Sequence, residues 1–248
     1  MSTESLSREA DALQARMWNG AYDSSALEGQ ANLWGDPPVP YAQVAAELFA
    51  AADAAVIMDL PCGDGRNLPP LAAGAPILLA GDSSHNAMAI ARSVVERAGV
   101  QRGVVFRETD VYATGLLDDS IDGIFCWDLL GHLAEPADAL TELIRTLRPG
   151  GCLIANMWTM NDCQIADDWA KMTEVGHRAY LDHAGFYCKF YDEQELVELL
   201  AGAGMQAESI ETARWWEPPH ANYRPYVHEH ECLIFRIRKA TQPPNQPA

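Results

Sequence analysis

A short apolar run followed by a glycine turn constrains this chain more than any other feature. Residues 56–67 read VIMDLPCGDGRN, with Asp59 closing the apolar run and Gly63 and Gly65 in the turn. In doubly wound α/β folds, an apolar strand that leads through a glycine turn into a helix brings bare backbone up to a nucleotide. Glycine is needed there because a side chain would block that approach and because the turn can require a positive φ. The segment therefore predicts a ligand-binding turn after the first strand.

The composition and the charge exclude several classes of partner. The chain has 248 residues, 48% of them hydrophobic, which is enough for the core of one large α/β domain. Its formal net charge of −18 repels nucleic-acid phosphates and anionic lipids, so we expect neither a nucleic acid nor a membrane as a partner. The opening residues, MSTESLSREADAL, lack the basic and apolar parts of a secretion signal. We therefore expect a cytoplasmic protein whose six cysteines are reduced and mostly buried.

Apolar runs alternate with helical patterns along most of the chain. We predict strands at about 56–59, 77–81, 104–107, 121–127, 152–158, 205–213 and 231–238. We predict helices at about 3–18, 41–52, 68–73, 86–98, 136–147 and 193–201. Uninterrupted apolar strands separated by helices are typical of a parallel sheet covered on both faces. The pattern therefore predicts a doubly wound, mostly parallel, seven-stranded α/β sheet.

The chain is predicted to fold as one domain with three additions. Residues 41–240 form this domain, and residues 1–40, which end in a stretch rich in Trp, Tyr, Gly and Pro, form an N-terminal lid. After Thr159 the alternation of strands and helices breaks, so we expect a mixed, mainly helical insertion at about 160–190. The polar, proline-rich residues 241–248 predict a disordered tail.

Four features fall at the carboxyl ends of the first four predicted strands, which share one edge of the sheet. The first is the glycine turn. Asp82 ends the second strand, where a carboxylate can accept both hydroxyls of a ribose. Asp110 and Val111 follow the third strand, where a carboxylate beside a backbone N–H can bind the amino group and a ring nitrogen of adenine. Residues 126–128 end the fourth strand, and their carbonyl groups could hold an ammonium group.

The motifs, their order and their spacing resemble the class I S-adenosylmethionine-dependent methyltransferases. MDLPCGDGRN resembles the first motif of that family, AGDSS its acidic second-strand end, and ETDVY its adenine-contact segment. IDGIFCWDLLGHLAEPADALTELIRTLRPGGCLIAN resembles its fourth strand, the following helix and the turn before the fifth strand. The resemblance covers about residues 56–156 and implies a Rossmann-like methyltransferase fold with S-adenosylmethionine as cofactor. Pro61, and Cys62 in place of a glycine, depart from the family pattern.

The resemblance also implies a cofactor site. Its predicted members are Tyr22, Asp59, Gly63, Gly65, Arg66, Asp82, Ser83, Asp110, Val111 and Trp127. Gly63 and Gly65 would lie under the cofactor, and Asp59 would brace the loop and the methionine amine. Arg66 would reach the methionine carboxylate, unless it is a solvated side chain. Tyr22, or Trp18 near it, would cover the methionine part, because a sulfonium cation is attracted to an aromatic face.

Methyl transfer is an in-line displacement, for which an enzyme mainly supplies alignment and desolvation. A base is needed only where the nucleophile must lose a proton. We take His132, Asn156 and Tyr191 as the catalytic candidates, although Asn156 can orient a substrate but not deprotonate it. Tyr180 and Tyr187 are further candidates. His132 is equally suited to a structural role in the loop after the fourth strand.

Three functions are compatible with such a site. The first is a methyltransferase that acts on a small molecule, since the acidic surface disfavours nucleic acids. The second is a cyclase or lyase in which the methionine amine of S-adenosylmethionine itself attacks the γ-carbon, giving azetidine-2-carboxylate and methylthioadenosine. The third is a non-catalytic partner protein that binds S-adenosylmethionine. A dinucleotide site is disfavoured because the turn lacks the third glycine of GxGxxG. The oligomeric state stays open.

The sequence HEHE at residues 228–231 raises a further alternative. His228 and His230 would share one face of a strand and could both bind a metal. A solvated strand end is the simpler interpretation, and we predict no metal site. The nearby sequence WWEPP, at residues 215–219, is either a wall of the substrate site or a packed corner.

Overall fold

A central sheet organises the computed structural model, which describes residues 3–23, 33–34, 37–163, 165, 169–220 and 224–241. The strands are β1 (Val56–Asp59), β2 (Ile77–Asp82), β3 (Val104–Glu108), β4 (Ile121–Cys126), β5 (Leu147–Trp158), β6 (Thr173–Gly176), β7 (Ala179–Leu181), β8 (Tyr187–Lys189), β9 (Ser209–Glu217) and β10 (His228–Arg238). The helices are α1 (Thr3–Ala21), α2 (Pro40–Ala51), α3 (Leu68–Leu71), α4 (His85–Ala98), α5 (Pro136–Thr146) and α6 (Glu193–Gly202).

Seven strands form the main sheet in the order β3-β2-β1-β4-β5-β10-β9. Strands β1 to β5 run parallel, and β10 lies antiparallel between β5 and β9. The predicted doubly wound, mostly parallel sheet is confirmed. The chain leaves β1 toward β2 on one side, and β4 lies on the other, so a crevice opens at the carboxyl ends of these strands.

Two apolar cores cover the two faces of the main sheet, as uninterrupted apolar strands require. On one face, α2 and α4 contribute side chains such as Phe49 and Val95. On the other face, α5 and α6 contribute side chains such as Leu140 and Leu196. Because both faces are closed by helices, the strand ends are the part of the sheet that is left to build a binding site.

In its described part, the insertion predicted at 160–190 is not mainly helical. Its described residues contain a 3-10 turn, Trp169–Lys171, and then a separate antiparallel sheet in the order β6-β7-β8. The local reason is alternation: Phe186, Cys188 and Phe190 are buried, while the residues between them are only partly buried. A period of two is the pattern of a half-buried strand, so the helical prediction is wrong here.

Some element boundaries also differ from the sequence prediction. Strand β5 begins at Leu147, which pairs with Ile121 of β4, so the predicted proline-glycine turn at 148–151 lies within the start of the strand. Helix α1 runs to Ala21, closer to the sheet edge than predicted. Residues 242–248 of the predicted tail, 241–248, and much of the predicted lid after Asp23 lie outside the described residues.

None of the helices in the described part of the chain combines the length and the apolar character needed to cross a bilayer.

Gly65→Ala is expected to destabilise the protein. Gly65 has a φ of +87°, and a Cβ there would lie 2.7 Å from the Cα of Ala91 in α4. The turn and the helix would have to separate, at a cost of about 1–3 kcal/mol. Thermal denaturation followed by circular dichroism should show a fall of roughly 2–4 °C for each kcal/mol.

Gly202→Ala is the matched control, because Gly202 lies in α6 and a Cβ there meets nothing within 4 Å. We expect it to be neutral or stabilising by up to about 1 kcal/mol, since alanine favours a helix. Equal losses of thermal stability in the two variants would contradict the packing assigned to Gly65.

Candidate functional site

Gly63 brings bare backbone to the sheet edge. Its φ is +51°, and its N–H donates to Oδ2 of Asp82 at 2.9 Å. A Cβ at Gly63 would lie 3.2 Å from the phenol oxygen of Tyr22, so a side chain would occupy the space between turn and lid. Gly65 instead packs against Ala91 and does not line the cavity at the carboxyl ends of the strands. Of the two predicted glycines, only Gly63 is placed to contact a ligand.

Asp82 joins the ends of β1 and β2. Its Oδ2 accepts from Gly63, and its Oδ1 accepts from the N–H of Ser84 at 2.8 Å. Ser84 in turn caps α4 by accepting from the N–H of Ala87 at 3.0 Å. Burial raises the pKa of Asp82 to about 6, against the lowering effect of the two amides. Each carboxylate oxygen keeps a lone pair for a further donor such as a ribose hydroxyl.

A cavity of about 500 Å³ opens at this edge, within the usual range of small-molecule pockets. Most of the predicted site residues line it, and these are Tyr22, Gly63, Arg66, Asp82, Ser83, Asp110, Val111, Trp127 and His132. Four predicted residues, Asp59, Gly65, Asn156 and Tyr191, are not part of its wall. The structure therefore brings nine of the predictions together around one space.

Asp59 and Tyr191 are buried behind the site. The carboxyl group of Asp59 is fully buried, and neither of its oxygens has a hydrogen-bond partner among the described residues. Burial, and then the neighbouring Asp82, raise the pKa of Asp59 well above its ordinary value. Tyr191 lies in the apolar core on the α5 face, where burial raises its pKa. Its predicted catalytic role is wrong because its ring faces this core and not the cavity.

Asn156 positions Asp128. The Asn156 side chain accepts from the Asp128 N–H at 2.8 Å and donates to Asp128 Oδ1 at 2.7 Å. The indole of Trp158 donates to the same oxygen at 3.1 Å. These contacts hold Asp128 at a φ of +52°, which is unfavourable for a residue with a side chain. Asp128 lines the cavity, so the sequence prediction identified the supporting residue and missed the side chain that it supports.

Arg66 is neither solvated nor free for a methionine carboxylate. It is buried, and its guanidinium donates to Oε2 of Glu217 at 2.9 Å. Asp128 Oδ2 lies 3.9 Å from the other terminal nitrogen. Burial opposes the ionisation of Glu217, but Arg66 and His220 outweigh it and hold the pKa of Glu217 below its ordinary value. The pair links the glycine turn to the end of β9.

His132 lies between two tryptophan rings. Its Nδ1 faces the carbonyl oxygen of Tyr187 at 2.6 Å, and because a carbonyl only accepts, Nδ1 carries the proton. The ring meets Trp18 and Trp158 edge-on, with centroid distances of 4.9 and 4.6 Å. Burial lowers the pKa of His132 to about 4. His132 is therefore neutral at pH 7, with the lone pair on Nε2.

Polar side chains fasten helix α1 over the cavity. Asn19 accepts from the Ser84 hydroxyl at 2.9 Å and from the Asn86 N–H at 3.2 Å. Asp11 accepts from the N–H of Ala134, beyond β4, at 3.1 Å. Gln14 accepts from the N–H of Tyr187 in the small sheet at 3.0 Å. The helix thus spans three separate parts of the cavity rim.

Aromatic rings on α1 and after it close the space beneath the helix. Trp18 packs on Phe186, with ring centroids 4.2 Å apart. The indole of Trp34 donates to the phenol oxygen of Tyr22 at 2.9 Å. The backbone N–H of Trp34 donates to Asp64, the residue between the two turn glycines, at 3.0 Å. These described parts of the predicted lid are in contact with the glycine turn.

A histidine cluster forms the opposite wall of the cavity. His228, His230 and Glu217 lie there with His220, which follows β9. His228 is only 2% exposed, so the interpretation of HEHE as a solvated strand end is wrong. Antiparallel pairing of β9 and β10 places His228 directly opposite Glu217. The sequence shows the spacing of these four residues. The spacing predicts a cluster only when the pairing of β9 with β10 is known.

Residues 58–155 match the family described as "Methyltransferase domain". Together with the strand order, this match places the chain among the class I S-adenosylmethionine-dependent methyltransferases, without a subfamily. The family inferred from the sequence motifs is confirmed, and with it S-adenosylmethionine as the cofactor of the family.

Named relatives and solved structures agree with this class. The chain is similar to the ubiquinone biosynthesis O-methyltransferase of Dinoroseobacter shibae, with 25% identity over 154 residues, which are 60% of this chain and 59% of that protein. Its fold is similar to that of 1,6-didemethyltoxoflavin-N1-methyltransferase from Burkholderia thailandensis, with a TM-score of 0.60, 18% identity, and 94% and 89% of the two chains covered. That structure contains 1,6-didemethyltoxoflavin and S-adenosylhomocysteine.

A similar fold also occurs in the [4+2]-cyclase SpnF, with a TM-score of 0.62, 18% identity, and 92% and 95% of the two chains covered. At such identities the structures define the fold alone. The chain spans less than two thirds of the length of the ubiquinone relative. Fold similarity does not fix the reaction, which has to be argued from the site.

Asn19→Ala is expected to loosen α1. The substitution removes the acceptor of the Ser84 hydroxyl and of the Asn86 N–H, each worth about 0.5–1.5 kcal/mol. Hydrogen exchange should become faster in residues 10–22, while exchange in the main sheet stays unchanged. Gln43→Ala is the control, because Gln43 is exposed and donates to Glu47 within α2, far from α1 in sequence. Unchanged exchange in α1 of the Asn19 variant would contradict the fastening role.

Proposed function

We propose that this chain is an S-adenosylmethionine-dependent methyltransferase whose acceptor is a small organic molecule. The observation that carries the proposal is a cavity that touches the glycine turn, the Asp82 carboxylate and the aromatic underside of α1. A pocket of about 500 Å³ has the size of a site for a small organic molecule. The net charge of −18 further disfavours a nucleic-acid substrate.

The residues present fit the cofactor. Asp82 keeps acceptor capacity beyond its two amide bonds, and Gly63 leaves open the space that a Cβ would fill. Asp110 and Val111, which follow β3, also line the cavity, and in this proposal they would bind the adenine. When bound, S-adenosylmethionine supplies a methyl group on a sulfonium, a good leaving group. The chain's own task is then mainly to align the acceptor and to exclude water.

The methionine portion would lie under the lid. Trp18 and Tyr22 have ring centroids 6.1 Å apart, and both line the cavity. An aromatic face attracts a sulfonium cation, and the attraction grows as water is excluded. Asp128 supplies a carboxylate at the end of β4 that can accept from an ammonium group. These residues replace Arg66 as the candidates for contacts with the methionine portion.

His132 is the candidate that can receive a proton from an acceptor. It lines the cavity, is neutral at pH 7, and carries its lone pair on Nε2. A pKa of about 4 makes it a weak base, so it suits an acceptor whose proton becomes acidic as the new bond forms. Its contribution to the rate is expected to be modest, because alignment supplies most of the catalysis.

Cofactor affinity is expected to fall on acidification. In the proposed complex the ribose hydroxyls would donate to the ionised Asp82 carboxylate, so binding would favour the deprotonated form. Protonation below the pKa of about 6 removes one acceptor and weakens binding, by up to about tenfold per pH unit well below that value. Calorimetric titration with S-adenosylhomocysteine between pH 5 and 7 measures the slope of binding affinity against pH.

Asp82→Asn is the control for that slope, because an amide of the same shape does not titrate in this range. We expect its affinity at pH 7 to be lower by about 1–3 kcal/mol and its slope below pH 6 to be flatter than that of the wild type. If affinity depended on pH equally in the wild type and the variant, the proposal that Asp82 binds the cofactor would be contradicted.

Product analysis tests the reaction itself. The protein is incubated with S-adenosylmethionine carrying an isotopic methyl group, first alone and then with a panel of small phenols, amines and hydroxy acids. Methyl transfer predicts S-adenosylhomocysteine together with a labelled acceptor, and neither of them without an acceptor. Methylthioadenosine formed from the cofactor alone would contradict methyl transfer and favour attack at the γ-carbon. Tight cofactor binding without turnover across the panel would favour a binding protein.

A further inference from the structure

The end of the β9–β10 hairpin gathers four groups that can ligate a metal. Glu217 pairs directly with His228 across the hairpin, and His230 follows two residues later on the same face. His220 comes three residues after Glu217, where its backbone exchanges two hydrogen bonds with that of Arg224, at 2.7 and 2.8 Å. One potential ligand atom from each of the four side chains lies within 4.8 Å of every other.

Hydrogen bonds at Nδ1 fix the ring orientation of two of the imidazoles, those of His228 and His230. His228 Nδ1 lies 2.9 Å from the carbonyl oxygen of Tyr226, and His230 Nδ1 lies 2.9 Å from a carboxylate oxygen of Asp162. Both partners only accept, so in the neutral rings the proton is on Nδ1 and the lone pair is on Nε2. A histidine that donates Nδ1–H to a carbonyl or a carboxylate while Nε2 binds the ion is the usual outer arrangement of protein metal sites.

The inward nitrogen of His228 is unusual. His228 is buried, and its Nε2 has no hydrogen-bond partner among the described residues. Buried imidazole nitrogens are normally satisfied, because leaving one unpaired costs free energy. Its ring lies 4.7 Å from that of His220 and 5.0 Å from that of His230, between centroids. A ligand bound at His228 Nε2, next to the other two imidazoles, would satisfy this unpaired nitrogen.

Glu217 completes the donor set. Its Oε2 lies 3.0 Å from His220 Nε2 and 3.8 Å from His230 Nε2. Metal–ligand bonds of about 2.1 Å in a tetrahedron place neighbouring ligand atoms roughly 3.4 Å apart, so these separations match without large movement. The indole of Trp215 donates to Oε1 at 3.0 Å and orients the carboxylate.

The surrounding charge is compatible with a cation. The carboxyl groups of Asp162, Asp128 and Glu217 lie around the imidazoles, against the guanidinium groups of Arg66 and Arg224. Arg66 donates to Glu217 Oε2, so this oxygen would be shared between the guanidinium group and the ion, and Asp128 lies 3.9 Å from the other terminal nitrogen of Arg66. With neutral imidazoles, the carboxylates outnumber the guanidinium groups.

We propose that Glu217, His220, His228 and His230 form a binding site for one divalent transition-metal ion, with Zn²⁺ as the best match. Three imidazoles and a carboxylate are the ligands of zinc sites, whereas Mg²⁺ prefers oxygen ligands. The site faces the same cavity as the glycine turn. If the proposed methyl transfer holds, the ion would bind an acceptor oxygen and favour its deprotonation, a role that rests on the proposed function.

Metal binding is tested on the full chain without any assay of activity. The purified protein is stripped with a chelator and titrated with ZnSO₄ by calorimetry, with bound metal measured by mass spectrometry. We expect one Zn²⁺ per chain with sub-micromolar affinity and no detectable binding of Mg²⁺ at millimolar concentration. With CoSO₄, the visible absorption bands of tetrahedral Co²⁺ should appear.

Variants separate this site from adventitious binding. His228→Ala and Glu217→Gln are expected to weaken Zn²⁺ binding at least 100-fold, with circular dichroism confirming that each variant folds. His183→Ala is the control, because His183 is exposed in the small-sheet region and should leave Zn²⁺ affinity unchanged. Absence of bound Zn²⁺, or binding that survives both site variants, would overturn the assignment. Titration of each preparation with S-adenosylhomocysteine reports separately on the cofactor site.

Discussion

The carboxylate of Asp82 accepts from two backbone amides, those of Gly63 at 2.9 Å and of Ser84 at 2.8 Å, and this bridge sets the geometry of the whole sheet edge. One bond ties the turn after β1 to the end of β2, and the other fixes the start of α4. The bridge depends on the apolar strands, which bury the carboxylate and raise its pKa to about 6. A buried carboxylate whose charge is only partly balanced by two amide groups favours binding of further hydrogen-bond donors.

Above that bridge, the cavity is closed by contacts that are individually weak. Asn19 reaches the start of α4, Asp11 reaches the loop after β4, and Gln14 reaches the small sheet. Each of these hydrogen bonds contributes only about 0.5–3 kcal/mol, so we expect α1 to open locally without unfolding of the sheet. As the proposed lid, α1 would admit small molecules and then exclude water, which suits the alignment and desolvation that methyl transfer requires.

Local patterns predicted the main sheet and the turn, while long-range pairing determined what was missed. The apolar runs identified the seven strands, and the glycine turn with Asp82 identified the sheet edge, because each depends on neighbours in sequence. The helical prediction fails at the small sheet because strands of only three or four residues are too short to show a clear period. Glu217 and His228 meet only through the register of β9 and β10, and Arg66 finds Glu217 only in the folded chain. No local sequence pattern encodes these long-range contacts.

Hydrogen–deuterium exchange with and without S-adenosylhomocysteine tests most directly whether the turn, the Asp82 bridge and the lid act as one binding site. Binding at the Gly63–Asp82 bridge should add protection in four separate segments, residues 10–22, 60–66, 81–86 and 108–112. Each of these segments contributes residues to the cavity wall, so a ligand bound there is expected to protect all four together. Saturating ligand that leaves them unprotected, or that protects only a different surface, would contradict the account.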